Sequence, residues 1–573
     1  MKRTRRNLLF LVLLVIPSLT ASLAWTQTVL VPSKPGSPGT LQWQVVVNNG
    51  MQVPGDTRNF NSYNQPSVNA NRLVVFRARS KGGPIGEPAH GVFTRDMTDP
   101  TSSLVTIFDR NTTVPQPNNL GTEFTEPPSF PRIDIRSDTI ASRGNHQPVW
   151  EYTPANGGDK TSAGTTGIYT NPLGVLITGA SNLGAVPDFS FWEVPGSDGI
   201  KFDVFPGAPS VTDGATIVFK GNYTVGTVEK TGVYYRVLEN ESIPLLGGDT
   251  SLAPAGGTKP VVLIADTNMK IPGTSTKFGS VSPPSAAGKQ AVFSGFDNED
   301  DPTLGGIYLA SLQPNPSLTT LVSIGSQVPG ERKGTVFNKL SESVSFDGRY
   351  VAFWGAWGNR TTKLTLQCPT EGNKVRIAYC NQQYPTGYKT TISLNQGIFV
   401  YDIQARETWA VATTPANFND FVYWKFTGIV PGMGEMDGED DMGEPAKWRS
   451  EEFVAVSGVA VGNLTKAQFL IAFKARTGHV ELKTGAYENP VDGIYVCLGP
   501  DLSPTLTVVE TGKQGTEIDP DAAINAPGSP ITDIGLDRDG FRDRWLVINV
   551  RWGSEESGWA GIYLTEVSNT LFK

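Results

Sequence analysis

Short apolar runs recur along the chain in a constant order, each built around a three-residue signature. The signature is a glycine, a β-branched residue and then Tyr or Phe. It occurs seven times, at Gly91-Val92-Phe93, Gly167-Ile168-Tyr169, Gly232-Val233-Tyr234, Gly306-Ile307-Tyr308, Gly397-Ile398-Phe399, Gly493-Ile494-Tyr495 and Gly561-Ile562-Tyr563. Neighbouring copies lie 65 to 96 residues apart. Such spacing is typical of a repeat architecture in which each copy is one supersecondary unit.

Each signature lies among three further runs that have the character of short strands. A second run precedes it, as in Leu73–Phe76, and a third run with a Val-Pro-Gly turn follows several copies, as in Leu321–Gly330. A fourth run, as in Glu342–Phe346, opens the unit and is joined to the next run by the tight hairpin turn Asp347-Gly348. The pattern predicts an all-β fold, a single seven-bladed β-propeller of four-stranded antiparallel blades that cover one another's apolar faces.

The unit Ser343–Phe353 resembles the WD40-like repeat of TolB-type propellers. Its combination with the Gly-Ile-Tyr and Val-Pro-Gly elements is similar to an exported bacterial β-propeller repeat family of unknown function. The resemblance extends over nearly all of the chain beyond the N-terminal leader. It implies the propeller fold, and it brings no catalytic motif to particular residues.

The two ends of the repeat region complement each other. The seventh unit stops soon after Gly561-Ile562-Tyr563 and lacks an outer strand, whereas Trp43–Gly55 contains one together with its Val-Pro-Gly turn. A ring has to be closed, and closure in this way hides two sheet edges. We therefore expect residues 43–49 to pair with the strand at 561–566, so that 43–55 completes the last blade.

The N-terminus predicts export. Four basic residues within Met1–Arg6 precede the apolar run Leu8–Ile16 and the small residues of Ser22–Ala24, which is the order of a secretory signal peptide. We expect a signal peptide over 1–24, a Pro/Ser/Gly-rich tether over 25–42 and the propeller over 43–568. The blades are expected near 60–115, 124–187, 202–273, 278–330, 337–413, 453–512 and 531–567. The Arg5-Arg6 pair leaves both the general and the twin-arginine export routes open.

Composition agrees with a turn-rich, secreted or periplasmic β protein. The 573 residues include 62 Gly and 42 Pro, 10 % are aromatic and 18 % are charged. The net charge is −8 and no basic cluster is present, which argues against nucleic acid and anionic lipid as partners. After cleavage of the leader no stretch is long enough to be an integral membrane segment. The expected partner is a protein or a polysaccharide at the cell exterior.

The three cysteines have different roles. Cys368 and Cys380 lie close together in a polar segment, and in an oxidising compartment we expect them to form a disulfide. Cys497 lies within the strand-like run Ile494–Leu498. This setting favours a buried free thiol over a reactive nucleophile.

The longest insertions emerge at one end of the predicted ring. Those between second and third strands cover 144–166, 355–396 and 475–492, and those between blades cover 179–201, 413–452 and 512–530. We call this end the loop face. Because function concentrates in variable loops on a rigid scaffold, we expect the binding site there.

Two acidic clusters on the loop face are candidate calcium sites, since hard cations take oxygen ligands. Their carboxylates are Asp297, Asp300 and Asp301 in the first cluster, and Asp437, Asp440 and Asp441 in the second. Calcium is thus a possible ligand, although no cofactor is required; the alternative is a pair of solvated loops. The segment Asp537–Asp543 also has a calcium-loop composition, but its register does not fit an EF-hand, and we predict a hairpin turn there.

Four tryptophans are candidate ligand-binding residues. Trp354 and Trp357 flank Gly355 at the end of a strand in blade 5, and Trp552 and Trp559 bracket the equivalent loop of blade 7. If exposed, their indoles provide stacking platforms for sugar rings. The alternative is that they fill the space between blades.

Catalytic signals are sparse. The three histidines, His90, His146 and His479, fall in or beside loops that belong to different blades, and the usual nucleophile, zinc and phosphate-loop motifs are missing from the sequence. We therefore expect a non-catalytic binding or scaffold propeller that uses the loop face to hold a protein or polysaccharide. The alternative is a carbohydrate-active hydrolase or lyase with carboxylates or a cation near the central channel. Two carboxyls that converge in a funnel with perturbed pKa values would favour the enzyme.

Overall fold

The computed structural model describes residues 41–82, 88–99, 101–154, 157–172, 174–239, 255–414, 418–430, 445–459, 468–481, 483–502, 504–555 and 557–572. Seven antiparallel sheets, each with four strand positions, follow one another in these ranges. The inner strands of successive sheets contact one another in a closed circle. The protein is therefore a seven-bladed β-propeller, as the repeat predicts.

Within each blade the strands run inner, second, third and outer from the ring axis. From blade 1 to blade 7, the second strands are Leu73–Ser80, Ile140–His146, Thr216–Val225, Gln290–Phe296, Tyr350–Trp357, Gln468–Val480 and Trp545–Trp552. In the same order, the third strands are His90–Asp96, Thr166–Thr170, Val228–Val237, Gly305–Ser311, Gln396–Asp402, Tyr487–Gly499 and Trp559–Glu566. The outer strands are Val105–Asp109, Ile177–Ser181, Val262–Asp266, Leu318–Ser323, Glu407–Thr413, Leu506–Glu510 and Trp43–Asn48.

The inner strand is interrupted in every blade. Five blades have two pieces: Phe60–Tyr63 and Ser67–Val68, Phe124–Glu126 and Arg132–Ile133, Ser280–Val281 and Ser285–Ala287, Phe337–Leu340 and Ser345–Phe346, and Ile531–Gly535 and Phe541–Arg542. In blade 3 the first piece is a single bridge between Val204 and Asn222, and the second is Ser210–Thr212. In blade 6 the first piece is a single bridge between Asp420 and Arg476, and the second is Val454–Val459. Each interruption is a segment that connects the two pieces of an inner strand and lies near the ring axis.

The signature glycine is needed because its neighbours leave no room for a side chain. Side chains two residues apart share one face of a strand, so the aromatic ring of the signature leans back over the glycine. A Cβ on Gly493 would lie 2.4 Å from the Tyr495 hydroxyl. A bulge between third and outer strands also brings a carbonyl close, and a Cβ on Gly306 would lie 2.1 Å from the Val322 oxygen.

The N-terminal strand closes the ring. Trp43–Asn48 pairs antiparallel with the third strand of blade 7, from Trp43 opposite Thr565 to Asn48 opposite Gly561. The predicted pairing of the two chain ends is confirmed. The buried side chains of Val46 and Val47 join the apolar core between blades 7 and 1.

A buried carboxylate ties this closing strand to its blade. Asp519, which is fully buried, accepts hydrogen bonds from Asn48 at 3.0 Å, from Trp559 Nε1 at 2.8 Å and from the Tyr563 hydroxyl at 2.7 Å. It also begins the short helix Pro520–Asn525 by accepting from the Asp521 amide. One side chain therefore joins the N-terminal strand, the third strand of blade 7 and the connection from blade 6.

A charged segment of blade 7 fills the end of the channel opposite the loop face. It runs from Asp537 to Arg542, and we call it the plug. Arg132 of blade 2 forms ion pairs with Asp537 and with Asp539, the latter at 3.4 Å. Arg542 pairs with Asp539 within the plug. All these side chains are at least nine-tenths buried.

The plug forms hydrogen bonds with every other blade. Arg538 donates to Ala208 O of blade 3 and to Pro283 O and Pro284 O of blade 4, the last at 2.6 Å. The backbone of the plug accepts from Val68 N in blade 1 and from Ser345 Oγ in blade 5. Arg542 donates to Val456 O of blade 6 at 3.1 Å. The hairpin predicted for Asp537–Asp543 is present at its end, where Phe541–Arg542 pairs with Trp545–Leu546. The rest of the segment lies at the centre of the ring.

Smaller elements enlarge the loop face. Three extra hairpins are Trp150–Tyr152 with Thr161–Ala163, Thr361–Leu366 with Tyr388–Ser393, and Tyr423–Phe426 with Trp448–Glu451. The α-helices are Lys374–Gln383 and Pro520–Asn525, and 3₁₀ turns occupy Pro187–Trp192 and Asn569–Phe572. In the ranges that the structure describes, no helix has the length and apolar character needed to span a membrane.

We predict that Asp519→Ala weakens ring closure. The change leaves three buried donors without their acceptor, so we expect the free energy of unfolding to fall by about 3 kcal/mol. Urea denaturation followed by tryptophan fluorescence measures this loss. Asp521→Ala, an exposed carboxylate in the first turn of the same helix, is the matched control and should cost less than about 0.5 kcal/mol. Equal effects of the two changes would contradict the role of Asp519.

We predict that Arg538→Met destabilises the whole ring. Loss of the guanidinium leaves carbonyls of blades 3 and 4 unpaired and removes a cation from beside two buried aspartates, which is expected to cost about 3 kcal/mol or more. Thermal unfolding is the measurement. Arg136→Met, which alters an exposed arginine of blade 2, should leave the midpoint unchanged. A midpoint for Arg538→Met within a degree of the wild type would show that the plug is dispensable.

Candidate functional site

A funnel at the ring axis opens toward the loop face. It is a cavity of about 510 Å³. The inner-strand interruptions, the second strands, the 297–304 loop of blade 4 and the hairpin Tyr423–Phe426 with Trp448–Glu451 form its wall. Asp537 and Arg538 of the plug also line the cavity. Because the plug hydrogen-bonds to every other blade, it supplies the closed end of the funnel.

One register position of the repeat supplies cations to the funnel wall. It is the second-strand residue that pairs with the β-branched residue of the signature. From blade 1 to blade 7 it is Arg77, Arg143, Lys220, Ser294, Trp354, Lys474 and Asn549. The side chains from blades 1, 2 and 3 line the funnel as a cationic arc.

The members of this arc differ in their partners. Arg77 donates to Glu126 of blade 2 at 2.8 Å and to Asn64 at 2.9 Å. Lys220 has neither an ion pair nor a side-chain hydrogen bond with any described residue. Burial lowers the pKa of Lys220, while the nearby Glu342 carboxylate partly offsets that effect. Lys220 is therefore the arc residue whose ammonium group is available to a ligand.

Two glutamates approach the same space from the blade 5 and blade 6 side. Glu342 lies in the inner-strand interruption of blade 5 and remains open to the funnel, whereas Glu452 precedes the inner strand of blade 6 and is only 8 % exposed. Burial first, and then the Glu342 and Glu451 carboxylates, raise the pKa of Glu452 to about 8. Burial also raises the pKa of Glu342, although Lys220 opposes the shift. At neutral pH Glu452 therefore retains its proton.

The hairpin of Tyr423–Phe426 and Trp448–Glu451 forms one side of the funnel. Lys425 and Arg449 are direct cross-strand partners on it, and both are exposed and line the cavity. Lys447, two residues before Arg449, pairs with Asp300 at 2.9 Å and with Glu299 at 3.7 Å in the blade 4 loop. Lys447 thereby joins the hairpin to the blade 4 loop.

The disulfide-bonded insertion of blade 5 supports this hairpin. Cys368 and Cys380 form the predicted disulfide, with their Cα atoms 5.7 Å apart. The ring of Tyr388 in the insertion stacks on Trp448 with centroids 6.3 Å apart, and the Tyr384 hydroxyl donates to Ala446 O at 3.2 Å. The insertion therefore orients the hairpin that carries Lys425 and Arg449.

The four predicted tryptophan platforms are not exposed, so that interpretation is corrected. Trp354, Trp357, Trp552 and Trp559 are between 1 % and 7 % exposed. Three of their indole N–H groups donate internally, Trp354 to Gln396, Trp552 to Gln514 O and Trp559 to Asp519. They pack within and between blades, as the alternative interpretation expected. Trp424 and Trp448 line the funnel instead, and the indole nitrogens of both are buried without a hydrogen-bond partner.

Two carboxylates of the first acidic cluster have protein partners. Asp297 accepts from the Thr303 hydroxyl and from the amides of Thr303 and Leu304, and Asp300 pairs with Lys447. Asp301 lies beside them on the exposed loop. Asp437, Asp440 and Asp441 lie outside the described residues. Over the described part of the chain, no three His, Cys, Asp or Glu side chains are grouped as metal ligands.

The three histidines and the free cysteine each contact another side chain of the protein. His90 accepts from Arg77 Nε at 3.0 Å, His146 bonds to the Tyr169 hydroxyl, and His479 pairs with Glu488 at 2.7 Å on an exposed hairpin. Cys497 is fully buried 3.2 Å from the Thr505 hydroxyl. Burial raises the pKa of its thiol to about 12, so it is not a thiolate nucleophile.

Five residues of the funnel were not predicted from the sequence, namely Lys220, Glu342, Glu452, Lys425 and Arg449. A signal for Lys220 exists, because it directly follows the aromatic residue of the second run, as Arg77 and Lys474 do. No comparable signal marks the others, which lie outside the repeat signatures.

No protein-family model matches the sequence, and no curated protein matches it. Among solved structures, the chain is similar to the β-propeller domain of the Trilobed protease from Pyrococcus furiosus, with a TM-score of 0.36 and 8 % identity over 90 % of this chain and 95 % of that one. It is also similar to the acylaminoacyl peptidase of Pyrococcus horikoshii, with a TM-score of 0.29 and 10 % identity over 86 % of this chain and 56 % of that one. For fructan 1-exohydrolase IIa of Cichorium intybus the TM-score is 0.21 and the identity is 7 %, over 91 % of this chain and 96 % of that one.

We predict that Glu452 makes the stability pH-dependent. Its pKa is about 8 in the folded protein against 4.5 ordinarily, so the folded state keeps a proton that the unfolded state loses, and stability falls as pH rises from about 5 to 8. Glu452→Gln removes this penalty and should gain about 3 kcal/mol over the wild type at pH 8 but little at pH 5. Urea midpoints at both pH values measure it, with the exposed Glu407→Gln as control. A gain independent of pH would contradict the assignment.

Proposed function

We propose that the protein is an exported binding propeller that holds a segment of polysaccharide in the funnel of its loop face. One observation carries the proposal. The ring axis contains a cavity of about 510 Å³ whose wall combines cations, carboxyls and two indole rings. A binding pocket commonly has this size and a few convergent polar groups.

The shape of the site favours a sugar chain over a folded protein. Stable protein interfaces bury a broad surface of roughly 800 Å² on each partner. A funnel of about 510 Å³ whose far end is occupied by the plug instead admits a thin polymer or its end. Sugar hydroxyls require both donors and acceptors, and the wall offers the ammonium group of Lys220 and the carboxyl of Glu342, with the indole rings of Trp424 and Trp448 beside them.

Export is part of the proposal and rests on the N-terminal pattern of basic residues followed by Leu8–Ile16. The combination of the WD40-like unit Ser343–Phe353 with the Gly-Ile-Tyr and Val-Pro-Gly elements, which is similar to an exported bacterial propeller family, supports the same assignment. A polysaccharide at the cell exterior is then accessible to the funnel.

A second candidate function is a carbohydrate-active hydrolase or lyase that uses the same funnel. The observation in its favour is that Glu342 and Glu452 both line the cavity with raised pKa values. A carboxylic acid that is neutral at neutral pH is suited to protonating a leaving-group oxygen. This function requires the binding that the first proposal describes and adds a reaction to it.

We predict that blocking the funnel weakens glycan binding. Ser450 is exposed on the hairpin and lines the cavity, so Ser450→Trp places an indole in the ligand's space and should weaken binding by about tenfold or more. A glycan array with the full-length mature chain identifies the ligand, and calorimetry gives its affinity. Thr319→Trp, on an exposed outer-strand position of blade 4, is the matched control.

The same ligand separates the two candidate functions. Binding that Ser450→Trp does not change would contradict the funnel as the site. If the bound glycan is cleaved, Glu452→Gln and Glu342→Gln should retain binding and lose the product measured by chromatography. A glycan that is bound and recovered intact supports the binding function alone.

A further inference from the structure

Basic side chains are concentrated around the funnel in an otherwise acidic protein. The cavity wall contains eight basic and six acidic side chains, whereas the whole chain has 47 basic and 55 acidic residues. Part of this excess is neutralised within the protein, because Arg132, Arg538 and Lys447 bond to the plug, to carbonyls or to the blade 4 loop. The remaining cations determine which ligand the wall can attract.

Three of the cations have no ion pair or side-chain hydrogen bond with any residue in the described ranges. They are Lys220 on the second strand of blade 3, and Lys425 and Arg449 on the two strands of the hairpin. Like charges placed directly opposite on antiparallel strands destabilise the pair. The arrangement of Lys425 and Arg449 therefore lowers the stability of the hairpin unless an anion lies between them.

The location of the pair distinguishes it from a second like-charge pair. Lys270 and Lys277 also face each other across a bridge, but both are exposed on the connection from blade 3 to blade 4 and neither lines the funnel. Solvent and salt screen such charges efficiently. In the funnel, the walls bring a third cation, Lys220, into the same enclosed space, where an anion is held more strongly.

The other wall groups indicate what kind of anion fits. Glu452 is nine-tenths buried, lines the cavity and has no side-chain bond to another described residue. Two indole rings, those of Trp424 and Trp448, also line the cavity. A sugar chain with one carboxylate on each unit offers hydroxyls to the two glutamates and negative charge to the cations.

We propose that Lys220, Lys425 and Arg449 make the funnel a site for uronic-acid segments of an acidic polysaccharide. This inference rests on the proposed function and specifies its ligand. The Arg449 guanidinium is suited to bidentate pairing with a uronate carboxylate, and the two lysines act as point charges for neighbouring units. The carboxyl groups of Glu342 and Glu452 form hydrogen bonds with hydroxyl groups of the sugar rings.

The test compares each uronate ligand with its own neutral form. Oligomers of galacturonate, glucuronate and mannuronate, and the methyl ester of each, are titrated into the full-length mature chain by calorimetry. At least one acidic oligomer should bind about tenfold or more tightly than its ester. The difference should shrink as salt is raised to about 0.3 M, because ionic interactions are screened.

A double variant assigns the effect to the hairpin pair. Lys425→Gln combined with Arg449→Gln should weaken binding of the acidic oligomer by about tenfold and leave binding of the ester unchanged. The thermal midpoint should not fall, since the change relieves a like-charge contact. Lys270→Gln combined with Lys277→Gln removes an equivalent pair outside the funnel and should alter neither ligand's affinity.

The outcomes separate the inference from the function on which it depends. Equal binding of acid and ester forms, or equal loss with the two double variants, overturns the uronate site and leaves polysaccharide binding in place. Tighter binding of an oligonucleotide or polyphosphate than of any uronate also overturns it. If the array gives no glycan ligand at all, the proposed function fails together with the inference.

Discussion

The ring depends on a buried cluster of charges at its axis. Propeller blades pack face to face around a central channel, and nothing in that packing fills the centre. In this protein the plug of blade 7 occupies it, and its residues Arg538 and Arg542 donate to backbone carbonyls of four other blades. A buried ion cluster contributes little net stability, but removing one member leaves uncompensated charges. Because each contact is directional, the cluster fixes the relative positions of the blades more than it adds free energy.

Closure at the rim complements closure at the axis. The N-terminal strand completes blade 7 through backbone pairing, and Asp519 holds that strand and the blade with one carboxylate. The plug also belongs to blade 7. The blade assembled from both chain ends is therefore the one that contacts every other blade at the centre, so closing the rim also places the plug. The same geometry makes the funnel blind and confines its opening to the loop face.

The fold was predictable to a large extent because its signals are local and repeated. The signature glycine, the hairpin turns and the missing outer strand of blade 7 each follow from contacts between strands adjacent in sequence or at the chain ends. The plug was not predictable, since Asp537–Arg542 has the composition of an ordinary turn and its partners are on six other blades. The tryptophans were misplaced for a related reason. A strand pattern gives the alternation of faces, but both faces of a propeller blade are buried against neighbours, so Trp354 and Trp552 had no exposed side available.

The candidate site shows why a repeated fold needs irregular parts to recognise a ligand. Seven identical blades would place the same residue around the axis seven times and create a symmetric channel. In this chain the equivalent second-strand position carries Arg77, Arg143 and Lys220 in three consecutive blades but serine, tryptophan and asparagine in three others. The hairpin with Lys425 and Arg449 is inserted in the inner-strand interruption of blade 6, whereas the interruptions of the other blades, where the structure describes them, are short loops without a hairpin. Charge is thus distributed unevenly around the funnel, because the basic side chains of the repeat position lie on blades 1 to 3 and those of the hairpin on blade 6.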